Sequence, residues 1–318
     1  MDATQAPQKI LHARVEIPVQ AGDLTLVYPK WIPGEHSPTG PITDLTGVEF
    51  YAGKQRLAWR RDLVNMNAFH LKVPEGVQTL EAHLDLVMPA PPEGFSSGAS
   101  ATTQLLVLSW NQVVLSPEVS NSDRTVVQAT LKLPQGWHYG TALPVAGGTP
   151  EQISFKPVSL TMLVDSPVLA GAHFRRIPLT PQGPIQHFID EASDGDAALQ
   201  MPPETIEAYK RLVAETGALF GARHYNDYHF LLTLSDHTAH FGLEHHQSSD
   251  DRVPERTMID DDMRWLAGAL MPHEMTHSWN GKYRRPAGLA TPNYQEPMKG
   301  DLLWVYEGLT QYLGEILA

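Results

Sequence analysis

The 318-residue chain contains no cysteine. That excludes disulfide frameworks, thiolate zinc sites, iron–sulfur clusters and cysteine nucleophiles together. Positive charge is also scarce. Twenty-three Lys and Arg face 36 Asp and Glu, for a net charge of −13. Nucleic acid and anionic membrane surfaces are therefore poor matches as the main partner. No apolar run is long enough to read as a transmembrane segment. Met1 to Gln8 is polar and lacks the basic start and apolar stretch of a signal peptide. The compartment stays open between the cytoplasm and a periplasmic or secreted location with the signal removed, and the oligomeric state is equally open. No internal repeat is visible. What is abundant is histidine, at 15 residues. With thiolates excluded, any metal chemistry must use imidazole and carboxylate. A hydrophobic fraction of 42% supports a real core, and the length is comfortable for two domains.

The first half reads as strands. Leu80, Ala82, Leu84, Leu86 and Met88 alternate with Glu81, His83 and Asp85. Val127, Ala129, Leu131 and Leu133 alternate with Gln128, Thr130 and Lys132. Period two with one apolar face is the mark of a half-buried strand. Shorter stretches at 9–17, 24–28, 68–73, 104–109 and 158–164 repeat the theme. The Pro/Gly-rich segments Pro29–Pro41 and Pro89–Gly98 separate them. The expectation is an antiparallel β-sandwich over residues 1–195. Glu191 to Ala197 reads as a polar break, with the boundary inside the range 175–200. Pro202 and Pro203 then open a helix with Ile206, Tyr209, Leu212, Val213 and Phe220 as its apolar stripe. Tyr228 to Leu234 reads as a strand, and Asp261 to Asn280 and Leu302 to Leu317 as helices. The fold class is thus α+β, with an α/β domain over 196–318. The chain stops at Leu317-Ala318 inside a helical pattern with no cap, so further chain downstream is expected.

The chemistry concentrates in Met271-Pro-His-Glu-Met-Thr-His-Ser-Trp-Asn280, which contains His273, Glu274 and His277. This is H-E-x-x-H. Residues four apart lie on one helix face, so both imidazoles can reach one metal. Glu274 stands beside the metal's open position, where it can take a proton from metal-bound water and pass it to the leaving amine. The bland alternative is a surface helix with two solvated histidines. Apolar flanks at Trp265, Leu266, Leu270 and Trp279 argue for a largely buried helix instead, and buried polar groups need partners. A third ligand is available in Glu307, an acid inside the apolar stretch Leu303 to Tyr312. Two histidines, one glutamate and a water make a hydrolytic zinc site. The competing role for Glu307 is an ion pair with Lys282 or Arg284.

Upstream, Phe241-Gly-Leu-Glu-His-His-Gln-Ser248 follows the 228–234 strand. A glutamate at the end of a cleft-edge strand can bind a free α-amino group by a charge-assisted hydrogen bond. That contact makes Glu244 the register stop of an exopeptidase. A polar loop or a second metal site are the other readings of Glu244-His245-His246.

Three motifs together resemble the glycyl aminopeptidase family of zinc metallopeptidases. They are Gly242-Leu-Glu-His245, His273-Glu-Met-Thr-His-Ser-Trp-Asn280 and Trp304-Val-Tyr-Glu-Gly-Leu-Thr-Gln-Tyr312. The run Tyr28-Pro-Lys-Trp-Ile-Pro-Gly34 is similar to that family's β domain. The resemblance implies a thermolysin-like catalytic domain of the gluzincin clan. It implies zinc on His273, His277 and Glu307, with Glu274 as general base and acid. It also implies that the Gly242–Glu244 segment binds the substrate's amino terminus, and that N-terminal glycine or alanine is preferred. The partners so implied are peptides with a free N-terminus, and neither nucleic acid nor a membrane.

Two departures stand out. Pro272 directly precedes the first zinc histidine, so the helix is expected to start or kink there. The chain also ends before the helical subdomain that closes a gluzincin cleft, so no transition-state donor can be assigned. Tyr306 and Tyr312 are expected to pack. Asn280, Arg284 and Arg285 are expected to cap the helix or face solvent. Gln311, one turn after Glu307, is a candidate partner for it. His237 and His240 are expected to be solvated, and His36, His70, His83 and His138 need no special role. The preferred reading is a zinc aminopeptidase. The rivals are a zinc endopeptidase of the same clan and a peptide-binding module with an incomplete, inactive site.

Overall fold

Alternating apolar residues in the first half build two antiparallel sheets that share one core. The computed structural model describes residues 1–90, 97, 100–118 and 120–318, and most of the expected Pro89–Gly98 break lies outside them. One sheet has the strand order Ile10–Pro18, Thr79–Val87, Leu45–Ala52, Gln55–Leu57. The other runs Trp59–Arg61, Ala68–Val73, Gly22–Val27, Ser116–Pro117. Leu11, Phe50, Leu80 and Leu84 of the first pack in one cluster with Leu26, Phe69 and Leu71 of the second. The Phe50, Trp59 and Phe69 rings meet edge to face, with centroids between 5.4 and 6.4 Å apart. Smaller antiparallel sheets extend the unit, among them Val168–Gly171 between His138–Gly140 and Leu105–Leu108.

Two stretches depart from the expected strands. The 127–133 alternation breaks into short pairings at Val126–Val127 and Thr130–Lys132. The 158–164 stretch pairs only at Val158–Ser159 and then winds into α1 (Leu160–Val164). Ser159 explains the change. Its hydroxyl accepts the Met162 N–H at 3.1 Å and so nucleates a helix where apolar content alone suggested a strand.

A five-stranded mixed sheet follows, in the order His173–Pro178, Gln186–Ser193, Asp227–Leu234, Ser248–Val253, Phe241–Glu244. The middle three strands are parallel to one another, and both outer strands run antiparallel. The Asp227–Leu234 strand is buried on both faces, as expected of an apolar strand inside a sheet. The sheet starts at His173, well before residue 196. Glu191, Ala192 and Ser193 are buried strand residues and not part of a polar break. Ion pairing accounts for part of the buried charge in this strand. Arg176 Nε donates to Asp190 Oδ1 at 2.5 Å inside this sheet, and Arg175 reaches Glu191 at 4.0 Å.

The helices of this half lie close to expectation. α2 (Pro203–Phe220) begins on Pro203, whose missing N–H would be unpaired there anyway, and ends on Gly221 at φ 69°. α3 (Trp265–His277) packs beside the edge strand Phe241–Glu244. The last helical stretch is a π-helix over Trp304–Leu309 that continues as α4 (Thr310–Leu317). Between α3 and this stretch the chain returns to the sandwich. The Lys30 and Trp31 N–H groups donate to Tyr294 O at 3.1 and 2.8 Å, and the Gln295 amide donates to Tyr28 O at 2.8 Å. The Pro29–Pro41 loop is thereby pinned against the second half.

Candidate metal centre

The α3 helix brings two imidazoles together. His273 and His277 are one turn apart, and their Nε2 atoms lie 3.0 Å from each other. α3 continues through Pro272 from Trp265, so it does not start at the proline. The Thr276 hydroxyl donates to Pro272 O at 2.8 Å in the following turn. Burial is uneven along the helix. Trp265 is 67% exposed, contrary to the expectation from its flanks, while Met271, Pro272 and Glu274 to His277 are buried.

Glu307 faces the two imidazoles from the π-helix. Its Oε2 lies 3.5 Å from His273 Nε2 and 3.3 Å from His277 Nε2. A tetrahedral ion bound at about 2.0–2.1 Å places its ligand atoms about 3.4 Å apart. The three observed separations, 3.0 to 3.5 Å, lie near that edge length, and an N/N/O donor set suits such an ion. Gly314 helps set the spacing. A Cβ there would lie 3.0 Å from His273 Cα, so a larger residue would have to press α4 and α3 slightly apart.

The supporting bonds fix which nitrogen faces the centre. His277 Nδ1 lies 3.0 Å from Asn280 O. A carbonyl only accepts, so Nδ1 carries the proton and Nε2 presents its lone pair. Asn280 in turn donates from its amide to Val305 O at 3.0 Å and Tyr306 O at 3.3 Å, which ties the end of α3 to the Glu307 segment. The Thr310 hydroxyl donates to Tyr306 O at 2.7 Å within the same joint.

Glu307 is not the buried carboxylate its apolar surroundings suggested. Its side chain is 39% exposed, and Trp304 and Tyr312 beside it are more open still. Burial raises its pKa, but hydrogen bonds to His273, His277 and His36 outweigh this and hold the carboxyl well below the usual range. Lys282 is spoken for elsewhere: Nζ donates to Asp165 Oδ1 at 3.0 Å with the lysine side chain 1% exposed. Gln311 binds Glu315 at 2.9 Å and takes no part in holding Glu307.

A second pair of carboxylates flanks the imidazoles. Glu274 packs directly on Gly242, where any Cβ would overlap its Oε1. Gly242 therefore gives Glu274 its place beside the edge strand. Burial, then the negative charge of Glu244, pushes Glu274 well above the ordinary carboxylate range. Glu244, at the end of the edge strand, moves the other way. Burial raises it, but Lys282, His277 and a hydrogen bond donated by the Tyr306 hydroxyl leave it lowered. The two acids are held in opposite protonation tendencies, a pattern typical of acid–base sites. His245 is taken up by Asp165 at 3.1 Å. Among the described residues the group of converging metal-ligand side chains is His273, Glu274 and His277, with Glu307 facing it.

Sequence reasoning missed three contributors. Tyr306 is more than packing, since its hydroxyl bonds Glu244. Asp165, at the end of α1, anchors Lys282 and the His246 N–H. His36, set aside as a sandwich histidine, places Nε2 3.0 Å from Glu307 Oε1. The nearest signal in the sequence was the Tyr28–Gly34 run immediately before it.

Residues 1–172 match the family model described as the Peptidase M61 N-terminal domain, and residues 267–318 match that of the M61 glycyl aminopeptidase. Residues 173–266, with Gly242 and Glu244, lie between the two matches. No curated protein matches the chain. Among solved structures, an aminopeptidase N family protein from Idiomarina loihiensis superposes with a TM-score of 0.81 at 18% identity. The alignment covers 99% of this chain and 53% of that one, so this chain spans about half the length of its structural relative.

Proposed function

Because the chain belongs to the M61 peptidase family, we propose that it acts as a zinc-dependent aminopeptidase. One observation carries the reading. His273, His277 and Glu307 present three ligand atoms at tetrahedral spacing, while Glu244 closes the edge strand beside them. Zinc, when bound, would activate a water and polarise the scissile carbonyl. The remaining work falls to side chains of this chain. The substrate backbone runs along Phe241–Glu244, the last strand in the sheet order and the one that carries Glu244. The Glu244 carboxylate accepts hydrogen bonds from the substrate's α-ammonium group and fixes the register to one residue. The Glu274 carboxylate accepts the proton of the attacking water and hands it to the departing amine nitrogen, which leaves as the new N-terminus. A preference for N-terminal glycine or alanine rests on the family likeness.

The test is hydrolysis of glycyl and alanyl peptides with free and with acetylated N-termini. Cleavage confined to the free series is expected. Equal rates on both would replace this reading with an endopeptidase.

A further inference from the structure

The sandwich is not a bystander to the centre described above. Its Pro29–Pro41 loop touches both of the outer carboxylates. A Cβ on Gly34 would meet Glu244 Oε2 at 2.8 Å, so this loop packs directly against the proposed amine anchor. Two residues on, His36 Nε2 meets Glu307 Oε1 at 3.0 Å. Glu307 is thus divided between two tasks. Its Oε2 faces the α3 imidazoles, and its Oε1 is held from the opposite side by a residue of another domain.

The His36 geometry is specific. A carboxylate oxygen only accepts, so Nε2 carries a proton. Nδ1 is buried and has no partner among the described residues, which fits a bare ring nitrogen better than a second N–H. The ring is 10% exposed and sits edge to face on Tyr306 at 4.6 Å. The backbone reaches this position through φ 51°, in the left-handed region that non-glycine residues seldom occupy. A glycine would adopt it more easily. The imidazole, rather than the turn, is therefore what the position supplies.

From this we infer that His36 is a positioning residue for Glu307, so that the N-terminal domain completes the metal centre of the second domain. The inference rests on the zinc reading of His273, His277 and Glu307. By fixing Oε1, His36 orients Oε2 toward the two imidazoles and restricts the carboxylate to binding through one oxygen. An exposed glutamate without this bond would sample several rotamers and hold the ion less tightly. Outer partners of metal ligands typically contribute about 10–100-fold in metal affinity.

The experiment is a zinc dissociation constant for the whole chain, by competition with a chromogenic chelator, for wild type, His36→Gly, His36→Ala and His36→Gln. Thermal unfolding without metal is recorded alongside. His36→Gly removes the imidazole and the left-handed strain together, so the apo protein is expected to melt no lower than wild type. Its zinc affinity is expected to fall about 10–100-fold. His36→Ala should weaken zinc equally, and His36→Gln, which keeps an N–H donor, should recover part of the loss. Unchanged affinity in a folded His36→Gly or His36→Ala protein overturns the inference while leaving the zinc reading intact. A wild-type chain that binds no zinc overturns both, and that outcome is distinct. A His36→Gly protein that fails to fold makes the role structural and also overturns the inference.

Discussion

Among the described residues of 1–172 the buried polar side chains are uncharged, such as Asn67, Thr102, Asn111 and Gln112. From His187 onward the buried set includes Asp190, Glu191, Glu244, Asp250, Asp251, Arg252, Glu274 and His277. The core of the first region is held mainly by apolar packing, which is non-directional and tolerant. The second buries charge, which destabilises unless every group finds a partner. Partners are indeed present for many of them. Arg252 donates to Asp250 at 2.6 Å, and His229 bonds Asp190 at 2.6 Å. Glu244, Glu274 and Glu307 gather negative charge around His273 and His277, and that is where a cationic metal and a cationic amine would fit. Among the partly buried titratable side chains of the sandwich, His36 and Asp165 reach across to the second region. Both make their bonds to the second region.

Substitutions can sharpen this contrast. The largest effect is expected at Glu274→Gln, which keeps the shape and removes the proton acceptor. Peptide hydrolysis should fall by about 10²–10⁴-fold while zinc content stays at the wild-type level. Wild-type turnover in the variant would remove Glu274 from the chemistry. Phe50→Ala acts on the other region. It should lower stability by about 3–5 kcal/mol, read by denaturant unfolding, with zinc affinity unchanged in the protein that remains folded. A matching loss of zinc affinity would mean that the two regions are not separable in this way. The smallest effect is set by pH. Burial pushes Glu191 up to about 7 against the pull of Arg175, from an ordinary value of 4.5. A carboxyl raised in the folded state costs stability as pH rises from the unfolded value to the folded one, and the cost is constant above that. Glu191→Gln should therefore stabilise the protein by on the order of 3 kcal/mol at pH 8 and by almost nothing at pH 4. Melting curves at the two pH values check it, and equal shifts at both would place an ionised Glu191 in the fold.

The comparison also explains what could be read in advance. Strict alternation from Leu80 to Leu86 marks a strand because each second side chain meets the sandwich core. The helical spacing of His273 and His277 marks a shared face because helix geometry is local. Local rules failed where a cap or an ion pair outweighed hydropathy. Ser159 turned an apolar run into a helix, and the polar-looking start at Glu191 lies in a buried strand whose neighbour Asp190 is paired with Arg176. The place of Glu307 beside the two histidines was legible from its motif, but its exposure was not, because the outer face of Trp304 to Tyr312 carries apolar side chains into solvent. His36 was invisible for a simpler reason. It meets Glu307 across 271 positions of sequence, and no periodicity encodes such a contact.

The central claim is that His273, His277 and Glu307 hold one zinc ion. The direct measurement is metal content per chain after exhaustive dialysis, for wild type and for His277→Ala with its fold verified by circular dichroism. About one zinc per wild-type chain and almost none in the variant is the expected result. Wild-type protein without zinc, or a folded variant that retains it in full, would contradict the account.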